Sequence, residues 1–393
     1  MGLLDKVHNF RAAKDLQEHG LYHYFRVIES AQENRVRING REVIMLGSNN
    51  YLGLTNHPKV KEAAQKAIAK YGSGCAGSRF LNGTLDIHVE LEEKLAAMVG
   101  KPAALIFSTG MMTNQGAIYA LVGRRDTAIV DRTDHASILD GCRLSFGDTR
   151  KYLHNDMESL EHTLRTCEDN GKLIIVDGVF SMEGDIAKVP EICDRAEKYG
   201  AYVMVDDAHG IGVLGQQGRG TCNHFDATDR VHLIMGTFSK SLASVGGFVA
   251  SDAETIHYIK HIARSMIFSA SMPPASVASV SAAIDVMLEE DWRREALWHS
   301  TKIMQERLHD AGFDTGPSQT PIIPAVVGDD SKAFVMCRRL LEEGVYVNPI
   351  ISPAVEKGRA LIRLSIMATH TEDEIHQAMD KMVLVGRELG VIP

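Results

Sequence analysis

The chain has 393 residues, 45% of them hydrophobic, and a formal net charge of -9, so it can bury a large core and is long enough for two domains. Charges of both signs are interspersed, which argues against a nucleic-acid binder, because gripping a phosphate backbone needs a concentrated basic surface. The six cysteines, at Cys75, Cys142, Cys167, Cys193, Cys222 and Cys337, have neither paired metal spacing nor a small disulfide framework around them, and a reduced cytoplasmic setting is the simplest reading.

The N-terminus lacks the basic-then-apolar pattern of a signal peptide, and no apolar stretch approaches the roughly 20 residues that cross a bilayer. Met1-Gly2 invites N-myristoylation, but Lys6 stands where Ser or Thr is expected. Residues 3–10, with Leu3, Leu4, Val7 and Phe10, read as an amphipathic subunit or core contact. Beyond residue 46, apolar runs of strand length alternate with helical patterns such as residues 60–68, which predicts an α/β protein with parallel strands buried on both faces.

The first such run, 103–107, leads into Ser108-Thr109-Gly110-Met111-Met112. That order suits a strand, a tight turn and a helix whose free N–H groups hold an anion, with Gly110 letting the backbone come close. Run 127–130 leads to Asp134-His135-Ala136-Ser137, and run 172–177 to Gly178-Val179-Phe180-Ser181. Run 201–205 ends in Asp206-Asp207-Ala208-His209. A carboxylate at the C-terminal end of a strand faces the ligand crevice of an open α/β sheet. Asp206 there can pair with a protonated ring nitrogen, since a nearby negative charge favours the charged form. The same residues could cap a helix or bind a cation, but with no HExxH or CxxC partner, no metal site is expected.

Run 231–235 then leads to Gly236-Thr237-Phe238-Ser239-Lys240-Ser241. A Walker-type phosphate loop needs a glycine directly before its lysine; Ser239 stands there instead. What fits is an anchor for pyridoxal 5'-phosphate (PLP): a primary amine that forms an exchangeable imine with the aldehyde, flanked by hydroxyls for the phosphate. His135 can stack on the pyridine ring and Ser181 can bond its phenolic oxygen. After the Pro273-Pro274 break a helical stretch covers about 278–291. Strand candidates at 322–327 and 360–364 then suggest a smaller α+β domain. The predicted division is an N-terminal arm and small-domain segment over 1–45, a large PLP-binding domain over 46–285 and a small C-terminal domain over 286–393.

Taken together, segments 47–54, 77–84, 134–138, 177–184, 206–209 and the lysine loop resemble fold-type I PLP enzymes of the α-oxoamine synthase family over nearly the whole chain. The resemblance implies a PLP-dependent transferase with a large, mostly parallel sheet and a smaller α+β C-terminal domain. It assigns Lys240 to the cofactor imine, Asp206 to the ring nitrogen, His135 to the ring face, and His209 and Ser181 to the phenolic oxygen. Thr237, Ser239 and the backbone of Gly110 and Met111 go to the phosphate. Ala270 and Ser271 would reach the phosphate of a neighbouring subunit in a homodimer with shared active sites. Asn50 and Arg363 would contact the amino-acid carboxylate, for which the planar guanidinium fork is suited.

Acetyl-transferring members of the family carry a Gly-Thr-Leu-Gly-Lys-Ala type of loop. Phe238, Ser239 and Ser241, followed by Leu242-Ala243-Ser244, instead match the subgroup that condenses L-serine with a long-chain acyl-CoA. Segments 71–77 and 364–370 support the same comparison. For that subgroup the resemblance implies α-proton removal by the amine of Lys240, attack on the thioester of palmitoyl-CoA, loss of carbon dioxide and release of 3-oxosphinganine. A lipid product would allow peripheral contact with the inner membrane. Sister activities, glycine C-acetyltransferase or 8-amino-7-oxononanoate synthase, and a non-catalytic PLP-binding module are the alternatives.

Overall fold

The computed structural model describes residues 2–167 and 170–393. Two compact units emerge, one of Asn49–Leu297 and one joining Met1–Ser48 to Trp298–Pro393.

The large unit is built on a seven-stranded sheet: β1 (Ala103–Phe107), β2 (Thr127–Asp131), β3 (Asp148–Tyr152), β4 (Lys172–Asp177), β5 (Tyr202–Asp206), β6 (Leu233–Thr237) and β7 (Gly247–Ser251). The spatial order is β1-β7-β6-β5-β4-β2-β3. Neighbours from β6 to β3 pair in parallel, while β7 runs antiparallel to both β6 and β1. Alternation along the central strands feeds a core on each face: Ile174, Val176, Val203 and Val205 pack with Leu91 and Leu95, whereas Leu173, Ile175 and Met204 pack with Ile118 and Val130. Both faces of the sheet are therefore covered, as parallel strands require.

Two strands of this sheet were not predicted. β3 is a polar edge strand of which only Tyr152 is buried. In β7 the apolar run is just Phe248-Val249-Ala250, directly after Gly246-Gly247. The large unit also runs to Leu297 rather than 285. Helix Pro274–Glu289 packs against helix Pro58–Tyr71 and buries Val277, Val280, Ile284 and Met287 in the same core as Val60.

In the small unit, Arg35–Ile38 and Arg41–Met45 form an antiparallel hairpin, and the second strand pairs in parallel with Val345–Tyr346. The turn is Asn39-Gly40, with φ of 50° and 72°, the left-handed pair that a two-residue hairpin turn demands. A second sheet sets Ala360–Ser365 between Ile322–Gly328 and Asn348–Ile350, all antiparallel.

Candidate active site

The carboxyl ends of the parallel strands open onto a cavity of about 300 Å³. Lys240, Asp206, His135, Ser181, His209, Thr237, Ser239, Gly110 and Met111 all line it. Register explains part of this convergence. Asp177 pairs with Asp206 and Asp206 with Met235 across adjacent strands, so the ends of β4, β5 and β6 lie level and deliver their following loops to one place.

The helix Gly110–Leu121 begins at the cavity. Thr109 caps it, its Oγ1 accepting from the Met112 N–H at 3.1 Å, and the Thr113 N–H reaches the Thr109 carbonyl. A β-carbon on Gly110 would meet Thr237 Oγ1 at 2.8 Å, so only glycine lets the helix start so close to the lysine loop. Thr237 Oγ1 and Ser239 Oγ lie 3.0 Å apart. A helix N-terminus faced by two hydroxyls suits a phosphate group, because the first-turn N–H groups and the helix dipole both favour an anion. On the other side, His209 Nδ1 is 2.7 Å from the hydroxyl of the buried Tyr51, which orients its ring.

Charge is concentrated beneath this surface. Burial pushes the Asp177 carboxyl well above the usual carboxylate range; the charge of Asp206 adds to the effect and the Lys240 cation opposes it. Asp134 is raised in the same way, by burial first and then by Asp177 and Asp131. Its two oxygens accept the N–H groups of Asp177 at 2.9 Å and Asp131 at 2.8 Å, stapling the ends of β4 and β2 together. His135 is lowered, chiefly by burial, with Asp206 opposing and Lys240 reinforcing the shift; its ring is therefore neutral near pH 7. A base, a carboxylate, a neutral aromatic ring and an anion cradle in one cavity match the aldehyde, ring nitrogen, ring face and phosphate of PLP, so the donor set fits that cofactor.

The remaining predicted residues lie outside this lining. Asn50 is buried, and its Oδ1 accepts the Leu54 N–H at 3.0 Å. The Ala270 carbonyl accepts from Ser108 Oγ, and Ser271 donates both its N–H and its hydroxyl to the Gly77 carbonyl. Arg363 belongs to the small unit, buried on the strand Ala360–Ser365, with Nη1 donating to Ser365 Oγ at 2.8 Å. Sequence reasoning missed Asn114 and Tyr51 as site residues. The sequence places Asn114 one helical turn after Gly110, but nothing local to it shows the partners that bring it into the site.

The sheet, the lysine loop after β6 and the cofactor cradle define a fold-type I PLP-dependent transferase. Residues 41–382 match the family described as Aminotransferase class I and II, and the chain belongs to that family. It is 53% identical to a protein named serine palmitoyltransferase from Sphingobacterium spiritivorum, over 99% of this chain and 98% of that one. It is 45% identical to an 8-amino-7-oxononanoate synthase from Thermoanaerobacter pseudethanolicus, over 96% of each. A solved structure of SPT with its PLP internal aldimine superposes with a TM-score of 0.97 at 36% identity, covering 100% of both chains.

Proposed function

We propose that this chain is a PLP-dependent acyltransferase that condenses L-serine with a long-chain acyl-CoA, palmitoyl-CoA foremost, to give 3-oxosphinganine, CoA and carbon dioxide. The observation that carries the reading is 53% identity, over 99% of this chain, to a protein named serine palmitoyltransferase in a chain whose cavity gathers Lys240, Asp206 and His135. When bound, PLP supplies an electron sink for the carbanion at the α-carbon of the amino acid.

The protein's own residues do the rest. The Lys240 amine takes the α-proton. Asp206 holds the ring nitrogen in its protonated form, because its negative charge favours the cation. His135 is assigned to the ring face, where a neutral ring packs without charge repulsion. Thr237, Ser239 and the N–H groups of Gly110 and Met111 keep the phosphate, and His209 with Ser181 hold the phenolic oxygen. Asn50 and Arg363 are assigned to the substrate carboxylate, which fixes the bond to be broken relative to the ring; such orientation is worth several of the roughly 7 to 11 kcal/mol available from positioning.

The working assembly we infer is a homodimer with shared sites, to which Ala270 and Ser271 of each copy contribute. Support comes from the strongly exposed Phe80, Leu81 and Phe268. They flank Gly77 and Ser271, which are bonded to each other, so apolar surface is left open beside the segment assigned to the neighbour. We place the protein in the cytoplasm, in keeping with six free thiols, with peripheral contact to the inner membrane. No helix among the described residues is long and apolar enough to cross a membrane, while Leu3, Leu4, Val7 and Phe10 are exposed.

The test is thiol release by the purified protein across a grid of amino acids and acyl-CoA lengths, with the product identified by mass. Preference for L-serine and long chains supports the reading. Alanine with a pimeloyl thioester, or glycine with acetyl-CoA, would move the enzyme to a sister activity, and no release with any pair would favour a binding module.

A further inference from the structure

Asn114 is fully buried at the cavity wall, and its single amide nitrogen has two partners. Nδ2 lies 2.7 Å from Asp206 Oδ2 and 2.8 Å from Ser137 Oγ. An amide nitrogen carries two hydrogens, so each partner receives one. The choice of nitrogen rather than oxygen at this position follows from Asp206, whose carboxylate only accepts.

The bond to Ser137 has a consequence one residue further on. Having accepted from Asn114, the Ser137 hydroxyl keeps its own hydrogen to give, and His135 Nδ1 is 2.8 Å away. The Ser137 backbone N–H also points to Nδ1, at 3.3 Å. With two donors aimed at it, Nδ1 is an acceptor, and the neutral ring must carry its proton on Nε2. On the Asp206 side, Oδ1 accepts the Ala208 N–H at 3.1 Å and Oδ2 accepts from Asn114, so both carboxylate oxygens are fixed in direction.

Asn114 Oδ1, by contrast, has no hydrogen-bond partner among the described residues. A buried carbonyl left unpaired is costly. Rotating the amide would set its oxygen against the Asp206 carboxylate, which only accepts, and would cost the donor that Asp206 has in the observed orientation. The side chain is held in the orientation that serves Asp206 and Ser137 at the expense of its own oxygen.

We propose that Asn114 is a positioning residue that couples the two cofactor-facing groups, one amide hydrogen aiming the Asp206 carboxylate and the other, relayed through Ser137, setting the Nε2–H tautomer of His135. The inference deepens the PLP reading and rests on it for its function. The coupling itself is a property of the protein's own hydrogen bonds.

The experiment uses two readouts. In the PLP-free protein labelled with 15N-histidine, long-range 1H–15N correlations report the tautomer of His135, assigned by its loss in His135→Gln. The wild type should show Nδ1 unprotonated and Nε2 protonated; because the longer backbone N–H contact at 3.3 Å remains in both variants, Asn114→Leu and Ser137→Ala should show a measurably smaller excess of the Nε2–H form rather than its complete loss. In the PLP-loaded enzyme, Asn114→Leu should lower kcat about 10-fold or more, the scale typical of lost supporting partners, with the serine KM held within about threefold. Ser137→Ala keeps the Asp206 bond and should lower kcat less. If Asn114→Leu does not fold, the tautomer in Ser137→Ala decides. An Nδ1–H wild type, an unchanged tautomer in Ser137→Ala, or a change confined to KM in Asn114→Leu would overturn the proposal. Failure of the wild type to develop a visible band on PLP addition would instead sink the cofactor reading, and the tautomer result would still stand or fall by itself.

Discussion

Replacing His154 by Gln is expected to change how stability depends on pH. Burial alone would lower the pKa of His154, but the hydrogen bond and charge of Asp131 and the charge of Asp185 outweigh it and raise it from 6.5 to about 10. Nδ1 is 3.2 Å from Asp131 Oδ1 and Nε2 is 3.2 Å from Asp185 Oδ2; the second contact is off the line of a hydrogen bond and acts through charge. A raised folded-state pKa means the stabilisation is complete below pH 6.5 and is lost as pH climbs through about 10. At 1.36 kcal/mol per unit the whole span is about 5 kcal/mol. With 24% of the side chain still in water, screening leaves roughly 3 kcal/mol.

The assay is urea unfolding at constant ionic strength from pH 6 to pH 10, wild type against His154→Gln, with free energies from midpoint and slope. The gap between the two should narrow by about 3 kcal/mol across that range, because the wild type gradually loses what the variant never had. Packing of the ring edge on Phe180, with centroids 4.4 Å apart, contributes a part that pH leaves alone. A gap that stays constant from pH 6 to pH 10 would show that folding does not raise the pKa of His154 and refute the reasoning. Weaker PLP retention should accompany the variant, since Thr133, bonded to His154 at 2.8 Å, and Phe180 lead directly into His135 and Ser181.

Four further outcomes test the site. Lys240→Ala should abolish the visible absorbance of the lysine-bound cofactor and thiol release together, and normal turnover in that variant would remove Lys240 from the chemistry. Asp206→Asn should retain PLP but turn over more slowly by about 2 orders of magnitude, the scale of a lost charge at a reacting group, as read by steady-state kcat. Gly110→Ala forces a β-carbon to within 2.8 Å of Thr237 Oγ1, and equilibrium titration should show PLP bound at least about 10-fold more weakly, a cost of about 1.4 kcal/mol. Arg363→Ala should raise the KM for the amino acid more than that for the thioester; equal rises would mark a structural arginine.

The strand ends that line the cavity were readable because each combines an apolar run with a change to small or charged residues. Runs 103–107 and 172–177 are β1 and β4 to the residue. β3 was illegible because an edge strand, Asp148-Thr149-Arg150-Lys151-Tyr152, carries the polarity of a loop. The hairpin at Asn39-Gly40 was legible and passed over: the dipeptide between two alternating runs is a strong turn signal. Asn114 and Tyr51 were hidden for another reason. Their roles depend on partners 92 and 158 residues away, and no local pattern encodes a contact of that separation.

The small unit draws its first strands from before Ser48 and the rest from after Leu297, with Arg41–Met45 paired to Val345–Tyr346. On the ribosome this imposes an order of assembly. The hairpin emerges first yet has no lateral partner until residues 345–346 follow, and at roughly 5 to 20 residues per second that wait lasts on the order of 15 to 60 s. Asn49–Leu297 is complete before then, so the PLP cradle can close while the earliest-made strands still wait for the last quarter of the chain.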